Sequence, residues 1–268
     1  MMHHRIDAYG ASYRGFATDV YAQVRSRTYG DDLGQTGWMD ADEHDLFLSW
    51  LDLDHDSRLL EVACGSGGAL LRTAKLTGCE AQGIDIHEDA IRAARAMADN
   101  EGLADRVTFD VTDAGNQLPY PDNSFSAIIC IDAINHLPDR AERLRDWARI
   151  LRPGGRIVFT DPIVLTGPVS NDEIAVRSSI AYFLFVPPDF DDRLLLDSGF
   201  SVIEKIDRSE NNERIARSWR EAREGLEAEL REIEGDETYD GSQRILEVAE
   251  RLASERRLSR FAYCAEIQ

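Results

Sequence analysis

The run Arg58-Leu-Leu-Glu-Val-Ala-Cys-Gly-Ser-Gly-Gly68 restricts the fold more than any other part of this chain. It reads as a short apolar strand that ends in a glycine-rich turn and passes straight into a helix. Gly65 and Gly67 let the backbone turn sharply and let a ligand approach it with no Cβ in the way. A helix that starts directly behind them offers free N–H groups. This arrangement suits a nucleotide-like cofactor.

The same strand–helix alternation continues over 57–161. Strand-like runs lie at 58–63, 81–86, 107–111, 127–131 and 156–160, with helical runs between them. Ala69, Leu70, Leu71 and Ala74 form one apolar stripe, and Ile91, Ala94, Met97 and Ala98 another at helical spacing. Asp139 with Glu142 three residues on predicts a capping box at the helix carrying Leu144, Trp147 and Leu151, and Pro153-Gly154-Gly155 stops that helix. Alternation of this kind means a parallel sheet covered by helices on both faces, a Rossmann-like doubly wound α/β fold. Before it, residues 1–56 form an N-terminal helical segment outside the core, with Asp40 as a helix cap and a glycine-punctuated loop at 29–38. After it, 162–198 is an irregular lid segment around the apolar run 180–186, which reads either as a helix packed on the core or as a lid over the substrate. Residues 200–206 and 260–267 read as strands. Residues 211–234 and 242–257 read as two charged amphipathic helices, forming a helical insertion over 209–258 of a core that runs from 57 to 268.

Composition narrows the partners. The net charge is −20 over 268 residues, the wrong sign for a nucleic-acid phosphate surface or an anionic membrane. Only Lys75 and Lys205 are lysines; this fits either a protein kept dissolved in high salt or a GC-rich genome that favours arginine. Four cysteines at 64, 79, 130 and 264 show no CxxC spacing and read as reduced thiols without a metal. No run of 18 apolar residues is present, and Met1-Met2-His3-His4-Arg5 has no apolar signal region. Together these point to a cytoplasmic protein, a monomer or a homodimer.

The turn lacks the third glycine of the dinucleotide fingerprint, since Leu70 stands there, and it lacks the Gly-Lys-Ser/Thr of a P-loop. A nicotinamide-dependent dehydrogenase is therefore disfavoured, and a cofactor without phosphate fits better. Asp85, 18 residues after Gly67, ends the second strand, where a carboxylate can accept from two adjacent ribose hydroxyls.

Five stretches resemble the class I S-adenosylmethionine-dependent methyltransferases of small-molecule type: 61–67, 83–86, 113–125, 131–136 and 151–155, in family order over about 57–161. The resemblance implies S-adenosylmethionine as cofactor, S-adenosylhomocysteine as product, and a seven-stranded sheet, mostly parallel with one antiparallel strand. It places Ala63, Gly65 and Gly67 against the methionine and ribose, Asp85 on the ribose hydroxyls, Ile86 on the adenine, Asp113 on its amino group with Ala114 beside it, and Ile131 on the far wall. The family often has glycine where this chain has Ala63. Glu61 is expected to anchor loop N–H groups or the cofactor's ammonium through water. The Asn/Asp-Pro-Pro-Tyr/Phe run that clamps a nucleic-acid base is missing at 131–134.

For the acceptor, Gln35 or Thr36 is placed to touch the methionine carboxylate and Tyr29 to face the sulfonium. His136, just past the fourth strand, is placed to take a proton from the acceptor or to orient it, and Asp132 and Asp161 share its rim. Tyr182, Phe183 and Phe185 are the lid aromatics. Aromatic faces near carboxylates suit a cationic amine, so N-methylation of a small amine is slightly favoured over O- or C-methylation of an apolar metabolite. A protein that binds the cofactor without turnover is the non-enzymatic alternative.

Overall fold

A computed structural model describes residues 6–268; the reading of Met1–Arg5 lies outside the described residues. Seven strands form one sheet: β1 Arg58–Val62, β2 Glu80–Asp85, β3 Val107–Val111, β4 Phe125–Cys130, β5 Leu151–Leu165, β6 Phe200–Asp207 and β7 Leu258–Ile267. Their order is β3-β2-β1-β4-β5-β7-β6. The pairs from β3 through β5 are parallel, and β7 runs antiparallel to both β5 and β6. Leu59, Leu60 and Val62 are all fully buried, as expected of a central strand covered on both faces.

Helices α4 Gly68–Thr77, α5 Glu88–Asn100 and α6 Arg140–Ile150 follow β1, β2 and β4. Ala94 and Ile91 of α5 pack with Leu70 and Leu71 of α4 on one face of the sheet, while Trp147 and Leu144 of α6 pack on the other. Outside this block lie three preceding helices, α1 Ala8–Arg14, α2 Asp19–Tyr29 and α3 Ala41–Ser49. Two short ones follow β5, α7 Asn171–Arg177 and α8 Phe190–Asp197, and three more separate β6 from β7: α9 Ser209–Glu224, α10 Glu227–Glu234 and α11 Asp236–Ser254.

Several local expectations change. Asp40 does cap α3, accepting from the Glu43 N–H at 2.8 Å, but Asp139 makes no side-chain cap on α6. It sits in the left-handed region at φ 49°, so its carboxylate does not follow the extended N-cap path that aims it at the N3 amide. The apolar run 180–186 is not a helix. Its backbone is taken up elsewhere: Leu184 N–H donates to Asn135 C=O and Leu165 N–H to Val186 C=O, both at 2.8 Å. The two charged helices are three, because Gly225-Leu226 and Gly235 interrupt them. β5 begins at Leu151 rather than Arg156, so α6 ends at Ile150 and Pro153-Gly154-Gly155 lies inside the strand instead of stopping the helix.

Candidate active site

Where the strand order reverses, between β1 and β4, a crevice opens at the carboxyl ends of the strands, the position where open α/β sheets bind ligands. Here it is a cavity of about 600 Å³, inside the range of ligand pockets. One half is built by strand ends: Ala63 after β1, Asp85 and Ile86 at β2, Asp113 and Ala114 after β3, Ile131 after β4. The other half is built by segments outside the β1–β5 block. It includes Tyr9 and Tyr13 of α1, Trp38, Arg177 of α7, Phe183, and Trp219 and Leu246 of α9 and α11.

The strand-end half has the groups a nucleoside needs. Asp85 is buried; its Oδ2 accepts from Gly65 N–H at 2.9 Å, and its Oδ1 from His87 N–H at 2.9 Å and His87 Nδ1 at 3.1 Å. A carboxylate has about four acceptor positions, so Oδ2 has room for a further donor, and Oδ1 would take another by exchanging the His87 ring. Asp113 accepts from Gly115 N–H at 2.8 Å and from Asn116 Nδ2 at 2.9 Å. Ile86 is 57% exposed and lies on the cavity wall, an apolar face in want of a planar partner. Ala63 holds φ 58°, a conformation that glycine adopts without strain and alanine does not; its single methyl keeps the approach open.

The two turn glycines serve this half from behind. Gly65 binds Asp85 through its N–H and is covered by Tyr13, whose hydroxyl is 2.9 Å from where a Cβ would stand. At Gly67, φ +77°, a Cβ would meet the Phe109 ring at 2.5 Å. That glycine lets α4 close on the sheet and does not line the cavity. Glu61 does not line it either. Its carboxyl is buried beside a small pocket with His44 and Thr73, and Oε2 has no hydrogen-bond partner. Burial first, and the nearby Asp85 charge second, push its pKa up to about 8.

At the junction of the halves, His136 Nδ1 is 2.8 Å from the Tyr182 carbonyl. A carbonyl only accepts, so Nδ1 carries the proton and Nε2 presents a lone pair. Tyr9 hydroxyl faces that lone pair at 3.2 Å. Burial lowers the His136 pKa and raises that of Tyr9 to about 12, so both are neutral near pH 7. The Phe183 ring stands edge-on to the imidazole at 4.6 Å.

Other predicted residues fall elsewhere. Tyr29 does not reach the cavity: its hydroxyl donates to Gly37 C=O at 2.8 Å and its ring packs near Trp219. Tyr9 and Tyr13 line the cavity instead. They sit four residues apart on α1, a same-face spacing that the sequence displays. Asp132 lines the wall but is already engaged: Arg260 Nε donates at 2.6 Å, Trp38 N–H at 2.7 Å and Thr160 hydroxyl at 2.8 Å. It is a positioning group for the Trp38 loop and not a free base. Asp161 is fully buried against Arg140 at 2.6 Å, away from the rim. Gln35 and Thr36 line the cavity; Thr36 meets Tyr13 hydroxyl at 3.3 Å, and Gln35 bonds its own loop at the Leu33 N–H. Tyr182 and Phe183 line it as well, but Phe185 packs behind them with Ile163 and Leu252. All four cysteines are buried and free.

A family description reading "methyltransferase domain" matches residues 53–179. O-methyltransferase rstn1 of Aspergillus nomiae is 32% identical over 152 residues, covering 56% of this chain and 67% of that protein. The chain belongs to the class I S-adenosylmethionine-dependent methyltransferases. Methyltransferase GfsG of Streptomyces halstedii is 40% identical over 126 residues, 47% of this chain and 45% of the relative. Across such curated relatives the chain spans about half to two thirds of their length. Among solved structures, the cyclopropane synthase MmaA2 of Mycobacterium tuberculosis superposes with a TM-score of 0.83 at 16% identity, over 99% of both chains, which establishes the shared fold. Its relatives carry names as O-, N- and C-methyltransferases.

Proposed function

We propose that this methyltransferase moves a methyl group from S-adenosylmethionine to a hydroxyl oxygen of a small molecule. When bound, the cofactor supplies a methyl carbon on a positively charged sulfur, already a good leaving group. Asp85 and Asp113 hold the nucleoside end, with Ile86 against the base. His136 stands between the two halves of the cavity with Nε2 turned inward, and it takes the proton that an acceptor hydroxyl gives up. The Tyr182 carbonyl keeps the imidazole in the required tautomer. Tyr9 donates to the same lone pair and gives way to the acceptor or bonds to it. The aromatic walls exclude water and align the acceptor.

The His136–Tyr182 carbonyl contact is the observation that carries this reading, because it leaves one uncharged base facing the cavity. The cationic-amine acceptor favoured by the sequence has less support: the Asp132 carboxylate that would attract it is paired with Arg260, and Arg177 adds positive charge to the same wall.

Replacing His136 by Gln is expected to lower kcat about 10²–10⁴-fold while the affinity for S-adenosylhomocysteine stays the same. Product formation followed across phenols, alcohols, carboxylates and amines tests both points. An unchanged kcat, or turnover confined to amines, overturns the reading. Since burial lowers the His136 pKa from its ordinary 6.5, activity on a hydroxyl acceptor should hold from pH 8 down to about 6.5 and fall only below it.

A further inference from the structure

Arg177 is 3% exposed and lines the acceptor half of the cavity, and among the described residues it has neither a carboxylate partner nor a side-chain hydrogen bond. Every other arginine on this cavity is paired: Arg25 with Asp32 at 2.8 Å, and Arg223 with Glu234. A buried guanidinium with no counterion loses its hydration without compensation, and the fold keeps it there. Its Cζ lies 5.6 Å from the Trp38 ring centroid and 5.6 Å from that of Phe183. Such contacts engage the faces of the planar group and leave its in-plane N–H donors for another partner. A second buried group on this wall is also unsatisfied. Asn135 is fully buried, and neither its amide oxygen nor its nitrogen has a partner. Asp132, whose charge acts on Arg177, is occupied by Arg260 and by the Trp38 N–H.

We propose that Arg177 binds a carboxylate on the methyl acceptor, so that the substrate is a small hydroxylated carboxylic acid and not a neutral or cationic molecule. This rests on the reading of the cavity as a methyl-acceptor site. A carboxylate matches the guanidinium fork in shape and in charge. A phosphate dianion fits less well, because among the described residues Arg177 is the single unpaired cation that the wall offers. With the carboxylate fixed at Arg177, the far end of the acceptor is directed towards His136, and specificity resides in α7 rather than in the strand ends.

The test uses the full chain saturated with S-adenosylhomocysteine and two probes, 4-hydroxycinnamate and its neutral amide, with affinity measured by calorimetry. The acid should bind tenfold or more tightly than the amide. Arg177→Gln should erase that difference and leave S-adenosylhomocysteine affinity unchanged, and Arg177→Lys should retain part of it. Equal affinity of acid and amide for the parent protein, or absence of binding by both, overturns the assignment without reference to any variant. So does a preference for the acid that survives in Arg177→Gln. Acid-selective binding that depends on Arg177, together with a failure of methyl transfer to every acceptor, would refute the catalytic reading and leave the carboxylate site standing.

Discussion

Glu61 shows how a single side chain can set a pH dependence for the whole protein. Its folded-state pKa, pushed up to about 8, lies above its ordinary 4.5. Between those values the folded chain holds a proton that the unfolded chain has released. Folding therefore becomes less favourable as pH rises from about 4.5 to about 8, and levels off above. Glu61→Gln removes this slope. The variant should be more stable than the parent at about pH 9, and the gap should shrink towards about pH 5, as followed by urea denaturation. An acid inside the apolar run Leu59–Val62 was visible in the sequence, but its missing partner was not, because that depends on what β4 and α4 bring beside it. Asp132 is the reverse case. Its place at the end of β4 was legible, whereas its engagement by Arg260, 128 residues away, was not.

Helix α1 has only seven residues, yet it closes the cavity from above. Tyr9 reaches His136, Tyr13 reaches Thr36, and Ile6 N–H donates to Ser179 C=O at 2.9 Å. It is held by few backbone bonds, one of them Ala11 N–H to Asp7 C=O at 3.0 Å. Ala11→Pro deletes that bond and disrupts the helix. Release of S-adenosylhomocysteine should speed up severalfold in stopped-flow measurements, with little change in Tm, because the element lies apart from the sheet. This role was only weakly legible in the sequence. The α1 segment is too short for periodicity to stand out, and its tyrosines gain meaning only from what they touch. The strand-end residues were easier to read, since a turn and an acid at fixed offsets along parallel strands are local features. The run 180–186 was ambiguous because seven apolar residues fit a helix as well as an extended segment; the Asn135 and Val186 backbone contacts make it extended.

Across the molecule, the antiparallel insertion of β7 between β5 and β6 brings Arg260 to the centre of a buried ionic group. It bonds Asp132 at 2.6 Å and Glu43 at 2.7 Å, and Glu43 in turn accepts from Arg208 at 2.5 Å. This joins β7, the end of β4, α3 and the approach to α9. Arg260→Met leaves the buried Asp132 without its cation and Glu43 with Arg208 alone, and should cost about 3–5 kcal/mol of stability, measured by chemical denaturation, whereas ordinary surface changes cost little. The five parallel strands were readable from alternation, and the antiparallel end from the resemblance, but this tie was not, because it depends on the position of the last strand. The division of the cavity has a consequence of another kind. On the proposed function, strand ends hold the donor and helices appended before and after them hold the acceptor, so the two ends of the reaction draw on different stretches of the chain. Changes in α1, α7, α9 or α11 can retune which molecule is modified while the donor site is inherited intact, and a lineage built on this plan can diversify its products without rebuilding its sheet.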